Sequence, residues 1–278
     1  LIENVPGMLN LEGGIVFKKI LLSLQDLGFE TDYGIVQSGN FGIPQNRWRL
    51  FIFAHQKKTK RFRFPVGRYE FPKTTLFGAK DHKHAVIKPE SRVGDLFDPL
   101  LPYVTVYDAI SDLPSFNNGE IADTSYRSVP MSEYQNRLRG TSKIVSNHIS
   151  PKLGGLHMQR LKSLPRNEGA CWSDLPEHLQ PKNLKKYGPK SFNNRFGRLS
   201  WNGIFNTMVT RVTPYWGRVI HPDDTRLLSV RECARAQSFN DDFIFHGGLT
   251  SITKQIGNAV PPFVAEAIGK EIIRFMET

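Results

Sequence analysis

Four residues in the N-terminal part of the chain have the types and spacing of a ligand site. Glu3 lies where a short predicted strand ends, and α/β sheets place ligand-facing residues at strand ends. Gln45, Arg47 and Arg49 alternate along a second predicted strand, so their side chains share one face. A face with two cations can hold a carboxylate in position and can bind a phosphate. These four residues are therefore our first candidate site.

A second candidate segment lies near the C-terminus. Ser229 and Glu232 form a capping-box pattern, which predicts a helix through about Gln237. We expect residues 255–262 to form a loop before the last helix. Gly257 in this segment would allow the backbone to approach a ligand closely, because glycine has no side chain to clash.

The elements that must position these residues are those of an α/β protein. A helical period from Val16 to Leu27, followed by Gly28, precedes strands predicted at 34–36 and 50–54. The 50–54 run is continuously apolar, which predicts a strand buried on both faces. This order of elements matches the C-terminal half of an α/β sheet. We therefore expect the 50–54 strand to lack part of the sheet that would normally cover it.

The charge of the chain favours a polyanionic partner. The 278 residues include 37 Lys and Arg against 26 Asp and Glu, a net charge of +11. Residues 56–69 and 181–221 contain no acid, and aromatic residues are interleaved with the cations of the second stretch. Lys and Arg side chains bind the phosphates of a nucleic acid, while aromatic side chains either pack in a core or stack on bases. Within the second stretch we choose Arg211, Trp216 and Arg218 as candidate residues for binding nucleic acid.

Composition also excludes several classes of protein. No apolar run approaches the roughly 20 residues of a membrane span, so we expect no membrane partner. The two cysteines, Cys171 and Cys233, exclude a disulfide scaffold and a cysteine-based zinc cluster. We expect no metal site, and we expect both thiols to be buried and unreactive.

Four sequence blocks, taken in their order along the chain, resemble the DNA cytosine-5 methyltransferases. They are Glu3-Asn4-Val5, Gln45-Asn46-Arg47-Trp48-Arg49, Arg231–Phe239 and Gln255–Pro262. Three further segments resemble the eukaryotic maintenance and chromomethylase branch, namely Asp112-Leu113-Pro114, Gly197-Arg198-Leu199 and Thr207–Thr210. The resemblance extends over essentially the whole chain and is to the C-terminal part of these enzymes.

The resemblance implies an α/β fold with a second, irregular domain. The α/β part would be the C-terminal half of a Rossmann-like, S-adenosylmethionine-dependent methyltransferase sheet, at residues 1–55. Residues 56–225 would form an irregular, mostly β target-recognition domain. Residues 226–278 would return to the catalytic domain as helices, with Arg231, Glu232 and Arg235 organising the recognition domain.

The implied reaction is methyl transfer from S-adenosylmethionine to carbon 5 of a flipped cytosine in double-stranded DNA, in the nucleus. Glu3, when protonated, would hydrogen-bond ring N3 and the exocyclic amine and offset the negative charge of the ring. Arg47 would lie near the flipped nucleotide, with Gln45 and Arg49 supporting the site. Asn258 and Val260 would contact the methionine part of the cofactor.

Two family blocks do not occur in the sequence: the Phe-x-Gly-x-Gly cofactor turn and the Pro-Cys-Gln nucleophile. In the family both precede Glu-Asn-Val, so we interpret the chain as a fragment that is inactive alone. The upstream part of the same protein would then be its partner and would supply the nucleophile. An alternative interpretation is a non-catalytic DNA-binding remnant.

An RNA cytosine-5 methyltransferase is a less favoured alternative, because that branch has a much smaller recognition zone. The loop at 210–218 is shorter than the CpG-reading loop of the maintenance type and closer in length to the chromomethylase type. The sequence therefore leaves open the base context, CpG or CHG, and the choice between maintenance and de novo activity.

Overall fold

A computed structural model describes residues 1–56, 60–72, 80–90, 99–166, 169–189 and 191–277. The helices are α1 (Ile15–Asp26), α2 (Val106–Ile110), α3 (Glu133–Arg139), α4 (Gly155–Ser163), α5 (Lys182–Lys185), α6 (Val230–Ala236), α7 (Leu249–Asn258) and α8 (Pro262–Met276). The strands are β1 (Ile2–Asn4), β2 (Phe29–Gln37), β3 (Trp48–Gln56), β4 (Gly197–Arg198) and β5 (Arg218–Ile220). Short 3₁₀ turns lie at Pro6–Gly14, Ser38–Phe41, Lys80–Ala85, Trp172–Asp174 and Glu177–Leu179.

The chain folds as two units. We call Leu1–Tyr103 with Phe263–Thr278 the sheet unit, and Val104–Pro262 the helical unit. Their boundaries differ from the division at residues 55 and 225 that the sequence suggests. That division concerns functional domains and stays a prediction.

Strand β3 is the centre of the sheet unit and pairs antiparallel with both β1 and β2. On one face Leu50 and Ile52 join an apolar cluster with Met8, Leu9, Phe17, Ile35 and Ala85. On the other face Phe53 stacks on Phe62, with ring centroids 4.0 Å apart, and meets Phe275 of α8 edge to face. The predicted burial on both faces is confirmed. The expectation of poor coverage is wrong, because side chains of the same unit cover the strand.

Local signals explain the first helix. Apolar side chains at helical spacing place α1 against the sheet, and Gly28 follows the helix end with φ of +85°. A left-handed residue just past a helix end favours glycine, which has no Cβ to clash. The predicted helix from Val16 to Leu27 and its glycine stop are confirmed.

Residues 56–225 are not the mostly β domain that we expected. Their described part contains α2 to α5 and one parallel pair, β4 with β5, besides isolated bridges. Helix-starting residues account for this: Thr105 and Asp108 form a capping box at α2, and Ser132 caps α3. Long irregular stretches connect these helices, so the irregular part of the expectation holds.

The sequence predicts the start of helix α6 correctly and the end of helix α7 wrongly. Ser229 and Glu232 form the predicted capping box, and α6 ends at Ala236. The predicted loop at 255–262 is wrong in its first half, because α7 continues to Asn258. Val260 precedes a proline, a position that disfavours helical backbone, and the chain turns extended only from Ala259.

Candidate functional site

Glu3 and Arg49 form an ion pair across two neighbouring strands of the sheet unit. Arg49 Nε lies 2.7 Å from Glu3 Oε1, and the carboxylate side chain is 26% exposed. The pair is possible because β1 and β3 run antiparallel with Glu3 opposite Phe51, so Arg49 lies one step along on the same face. The prediction that an arginine of this segment holds Glu3 is confirmed for Arg49.

Arg47 and Gln45 lie just before β3 rather than within it, since the strand begins at Trp48. Both side chains are fully buried. Burial first and repulsion from Arg49 second lower the pKa of Arg47 to about 9, against the attraction of Glu3. Arg47 therefore keeps its charge at pH 7. The charges of Arg47, Arg49 and Glu3 are within electrostatic reach of one another.

The segment predicted to bind the cofactor belongs to the helical unit. Asn258 is the last residue of α7 and is exposed, and Val260 is half-buried in the extended backbone that follows. Close packing explains why position 257 is a glycine. A Cβ there would lie 2.5 Å from the carbonyl carbon of Val209 and 2.7 Å from the backbone nitrogen of Thr210. The close approach that we expected toward a ligand is an approach to the chain's own backbone.

The three candidate DNA-binding residues have different surroundings in the helical unit. Arg211 is exposed and Trp216 is 60% exposed, so both are available to a partner. Arg218 instead donates to three backbone carbonyls, those of Gly169 at 2.8 Å, Asn193 at 3.1 Å and Arg198 at 3.3 Å. Its guanidinium connects separate loops by hydrogen bonds. For Arg218, a contact with DNA is therefore the least supported of the three predictions.

A row of exposed aromatic rings extends from Trp216 and was not singled out from the sequence. The guanidinium of Arg195 lies 5.6 Å from the ring centroid of Trp216 and 4.4 Å from that of Phe192. Phe192 in turn meets Tyr187 edge to face at 5.1 Å. By contrast, Phe196 of the same acid-free stretch is buried. Composition marked the stretch but could not separate core aromatics from surface ones.

A buried ionic network surrounds α6. Arg226 donates two hydrogen bonds of 2.8 Å to Glu232, and Arg235 pairs with Asp112 at 2.5 Å and Asp241 at 2.6 Å. Burial alone would raise the pKa of Glu232, but the charge and hydrogen bonds of Arg226 hold it well below its ordinary value. These residues organise the unit, in agreement with the role that the resemblance implied.

Neither cysteine is placed for nucleophilic chemistry. Cys171 and Cys233 are both buried. Burial raises the pKa of the Cys233 thiol well above its ordinary value, which disfavours the reactive thiolate. The expectation of two buried thiols is confirmed.

Two features are not found in the part of the chain that the structure describes. There, no three or more His, Cys, Asp or Glu side chains are grouped so that they could hold a metal ion. Within the same residues, no helix has both the length and the apolar character needed to cross a membrane.

Comparison with known proteins places these features in a family. The sequence profile described as C-5 cytosine-specific DNA methylase matches residues 1–274. DNA (cytosine-5)-methyltransferase 1B of Oryza sativa subsp. japonica is 32% identical over 291 residues, covering 98% of this chain and 19% of that protein. DNA (cytosine-5)-methyltransferase 1 of Gallus gallus is 31% identical over 332 residues, covering 98% and 21%. The chain spans about a fifth of the length of these relatives.

A solved structure shares the fold. The crystal structure of a DNA modification methyltransferase encoded within a prophage, from E. coli, superposes with a TM-score of 0.62 at 22% identity. The match covers 99% of this chain and 69% of that one, and it supports a mixed α/β methyltransferase fold. Since the family profile matches almost every residue, the chain belongs to the C-5 cytosine-specific DNA methylase family.

Proposed function

We propose that the protein containing this chain transfers a methyl group from S-adenosylmethionine to carbon 5 of cytosine in double-stranded DNA, in the nucleus. Family membership supports the reaction class. The observation that carries the proposal is the Glu3–Arg49 pair. In it, the partly exposed carboxylate of Glu3 is held by the guanidinium of Arg49, whose side chain is 12% exposed. We also propose that the sheet unit contributes the C-terminal half of a Rossmann-like methyltransferase sheet.

Glu3 would act on the cytosine ring. Carbon 5 is a poor nucleophile until a thiolate adds to carbon 6, and the ring then accepts negative charge. A protonated carboxyl that donates a hydrogen bond to N3 stabilises that charge. Glu3 Oε1 keeps its bond from Arg49, which leaves the other oxygen to carry the proton toward the flipped base.

Arg47 and Arg49 would set the charge of this site. Arg49 fixes the orientation of the carboxyl, so Glu3 does not have to be ordered when the base arrives. Arg47 stays protonated at pH 7, and its buried positive charge favours a nearby phosphate or a ring that carries negative charge. Gln45 is buried beside this segment and would support its backbone.

The cofactor would bind through the end of α7. S-adenosylmethionine supplies an electrophilic methyl group when bound. The residues fit such a ligand, because the Asn258 amide can both donate and accept hydrogen bonds and is exposed. Asn258 would therefore hold the polar groups of the methionine part. Val260, half-buried after the helix, would pack against its apolar atoms.

The nucleophile would come from a part of the protein outside these 278 residues. Cys171 and Cys233 are both buried, and the raised pKa of Cys233 opposes its ionisation. The thiolate that adds to carbon 6 would be released again when the carbon 5 proton is removed, so the methyl group replaces one hydrogen. In duplex DNA, Arg211 and Trp216 would contact the backbone and bases around the target, with Arg218 positioning their loop.

Substitution of Glu3 in the whole protein tests the proposal. We expect Glu3→Gln to lower methyl transfer to duplex DNA by about 100-fold or more, the loss typical of a transition-state hydrogen-bond donor. Duplex affinity should stay within about twofold of wild type, since phosphate contacts supply most of it. The matched control is Glu30→Gln, an exposed carboxylate of β2 in the same unit.

The outcomes separate the candidate functions. Full activity in Glu3→Gln would contradict the proposed role. Duplex binding without methyl transfer in the whole wild-type protein would favour the non-catalytic DNA-binding alternative. Preferential transfer to transfer RNA would favour the RNA methyltransferase alternative.

A further inference from the structure

The sheet unit has a second charged surface that the methyl-transfer proposal does not use. It is an open cleft of about 490 Å³ between the backbone after β3 and the last turn of α8. We call it the basic cleft, and its lining residues are Lys60, Arg61, Arg63, Glu271, Arg274 and Phe275.

The basic cleft has a fixed backbone. The Asp32 carboxylate accepts a hydrogen bond of 2.8 Å from the Phe62 backbone N–H and also contacts the His55 ring at 3.2 Å. Phe62 is buried against the sheet, so its neighbours on an extended backbone point the opposite way. Arg61 and Arg63 are consequently exposed on one side, about 7 Å apart along the chain.

The charge of the cleft is strongly positive. Four of its lining side chains are cations and one is an acid, and that acid, Glu271, is already paired with Arg274 at 2.6 Å. In the described part of the chain, Lys60, Arg61 and Arg63 have no acidic partner. Among the described residues, three exposed cations thus face one open surface without a paired acid, which gives the cleft a positive potential that attracts anions.

The chemistry of these side chains selects phosphates on a long chain. Arginine presents a planar fork of donors that matches phosphate oxygens. The cations stand at the rim of an open cleft, which suits a row of phosphates better than one small enclosed anion. An anionic membrane would need apolar anchors beside the cations; Phe62 and Phe64 next to the arginines are buried, and vesicle binding tests the exposed Ile273 and Met276 of α8 as anchors.

We propose that the basic cleft binds the phosphate backbone of duplex DNA at a second site, separate from the cytosine site. Glu3 lies opposite Phe51 of β3, whereas the cleft begins beyond Gln56 at the other end of that strand. Five residues of strand place the two sites at least about 17 Å apart. The proposal does not depend on methyl transfer, because it concerns phosphates alone.

The salt dependence of binding tests the proposal. The variant is Arg61→Gln with Arg63→Gln, and the control is Lys18→Gln with Lys19→Gln, two exposed cations of α1. Both variants lose two positive charges. Affinity for a fluorescent duplex without cytosine is measured by anisotropy between about 50 and 200 mM salt. The cleft variant should lower the slope of log affinity against log salt by about 1.8, or 0.9 for each lost phosphate contact.

The control variant should keep the wild-type slope and thermal unfolding curve. Equal slopes in the two variants would overturn the proposal, because they would show general attraction to a positive protein. No change in the cleft variant would overturn it as well. A loss of binding to vesicles of anionic lipid, with duplex binding intact, would replace DNA by a membrane. Because the duplex lacks cytosine, failure here says nothing about Glu3.

Discussion

Arg235 is the residue whose removal tests the buried ionic network most directly. Its guanidinium is fully buried and donates five hydrogen bonds: one to the Ala109 carbonyl, two to Asp112 and two to Asp241. Arg235→Met keeps much of the side-chain volume and removes every one of these donors. Two buried carboxylates then lose their main counter-charge.

The expected loss of stability can be worked from the partners that remain. Breaking a buried ion pair by removing one partner costs about 3–5 kcal/mol, because the other charge stays buried. Asp112 keeps its contact with Arg139, and Asp241 keeps a hydrogen bond of 2.7 Å from the Tyr126 hydroxyl. Both carboxylates are therefore partly compensated, and we expect Arg235→Met to lower the unfolding free energy by about 3 kcal/mol.

The loss should depend on pH in a defined direction. Burial alone would raise the pKa of Asp241, but the hydrogen bonds and charge of Arg235 hold it below its ordinary value. The stability from this pairing is present above the unfolded pKa of about 3.9 and is lost as the pH falls through the folded value. The difference between wild type and Arg235→Met should be full at pH 7 and should shrink below about pH 4.

Urea denaturation measures the effect. Tryptophan fluorescence follows the unfolding, because Trp172 of the helical unit is buried. The control is Lys185→Gln, which removes an exposed pair with Glu177 at 3.3 Å and should change the unfolding free energy by less than about 0.5 kcal/mol. Adding Asp112→Asn and Asp241→Asn to Arg235→Met should recover at least about 1 kcal/mol, because neither carboxylate is then left as a buried charge without Arg235. A loss below about 1 kcal/mol, or a loss equal at pH 7 and pH 3.5, would refute the reasoning.

Two further predictions concern single contacts. Helix propensity alone favours Gly257→Ala by about 1 kcal/mol, but the Cβ would meet backbone of Val209 at 2.5 Å, so we expect a loss of about 1–3 kcal/mol instead. Urea denaturation decides the sign, and a stabilised variant would contradict the contact. We expect Trp216→Ala to weaken DNA binding by about 1–3 kcal/mol without changing thermal unfolding, through loss of base stacking. Anisotropy with Tyr107→Ala, another exposed aromatic of the helical unit, is the control; equal losses would show that the Trp216 surface is not special.

Elements with local signals were predictable from the sequence. Helix α1 has its period and its glycine stop within 14 residues, and α6 has its capping box within four. The buried strand at 50–54 was predictable for the same reason, since a continuous apolar run requires cover on both faces. The end of α7 was not, because Gly257 suggested a loop while its true constraint is close packing against Val209.

The candidate site was predictable only where its geometry is local. Alternation along one strand placed Arg49 on the face that Glu3 shares, and the ion pair followed. The partners of Arg218 could not be predicted, because its acceptors at Gly169 and Asn193 lie 49 and 25 residues away and have no side-chain signature. A cation chosen from composition can therefore be structural, even in an acid-free stretch.

The sequence blocks that resemble the family contain two kinds of residue, buried ones that stabilise the fold and accessible ones that could contact a ligand. Arg235 and Asp112 come from separate blocks, 123 residues apart, and meet in the buried network. Glu3 and Asn258, from the first and last blocks, are accessible and have little packing to lose. Resemblance carried by the first kind reports the scaffold, whereas the activity that we propose would depend on the second. Substitution of Glu3 should therefore lower methyl transfer by about 100-fold or more in a folded protein, while substitution of Arg235 should change stability first and activity only through it.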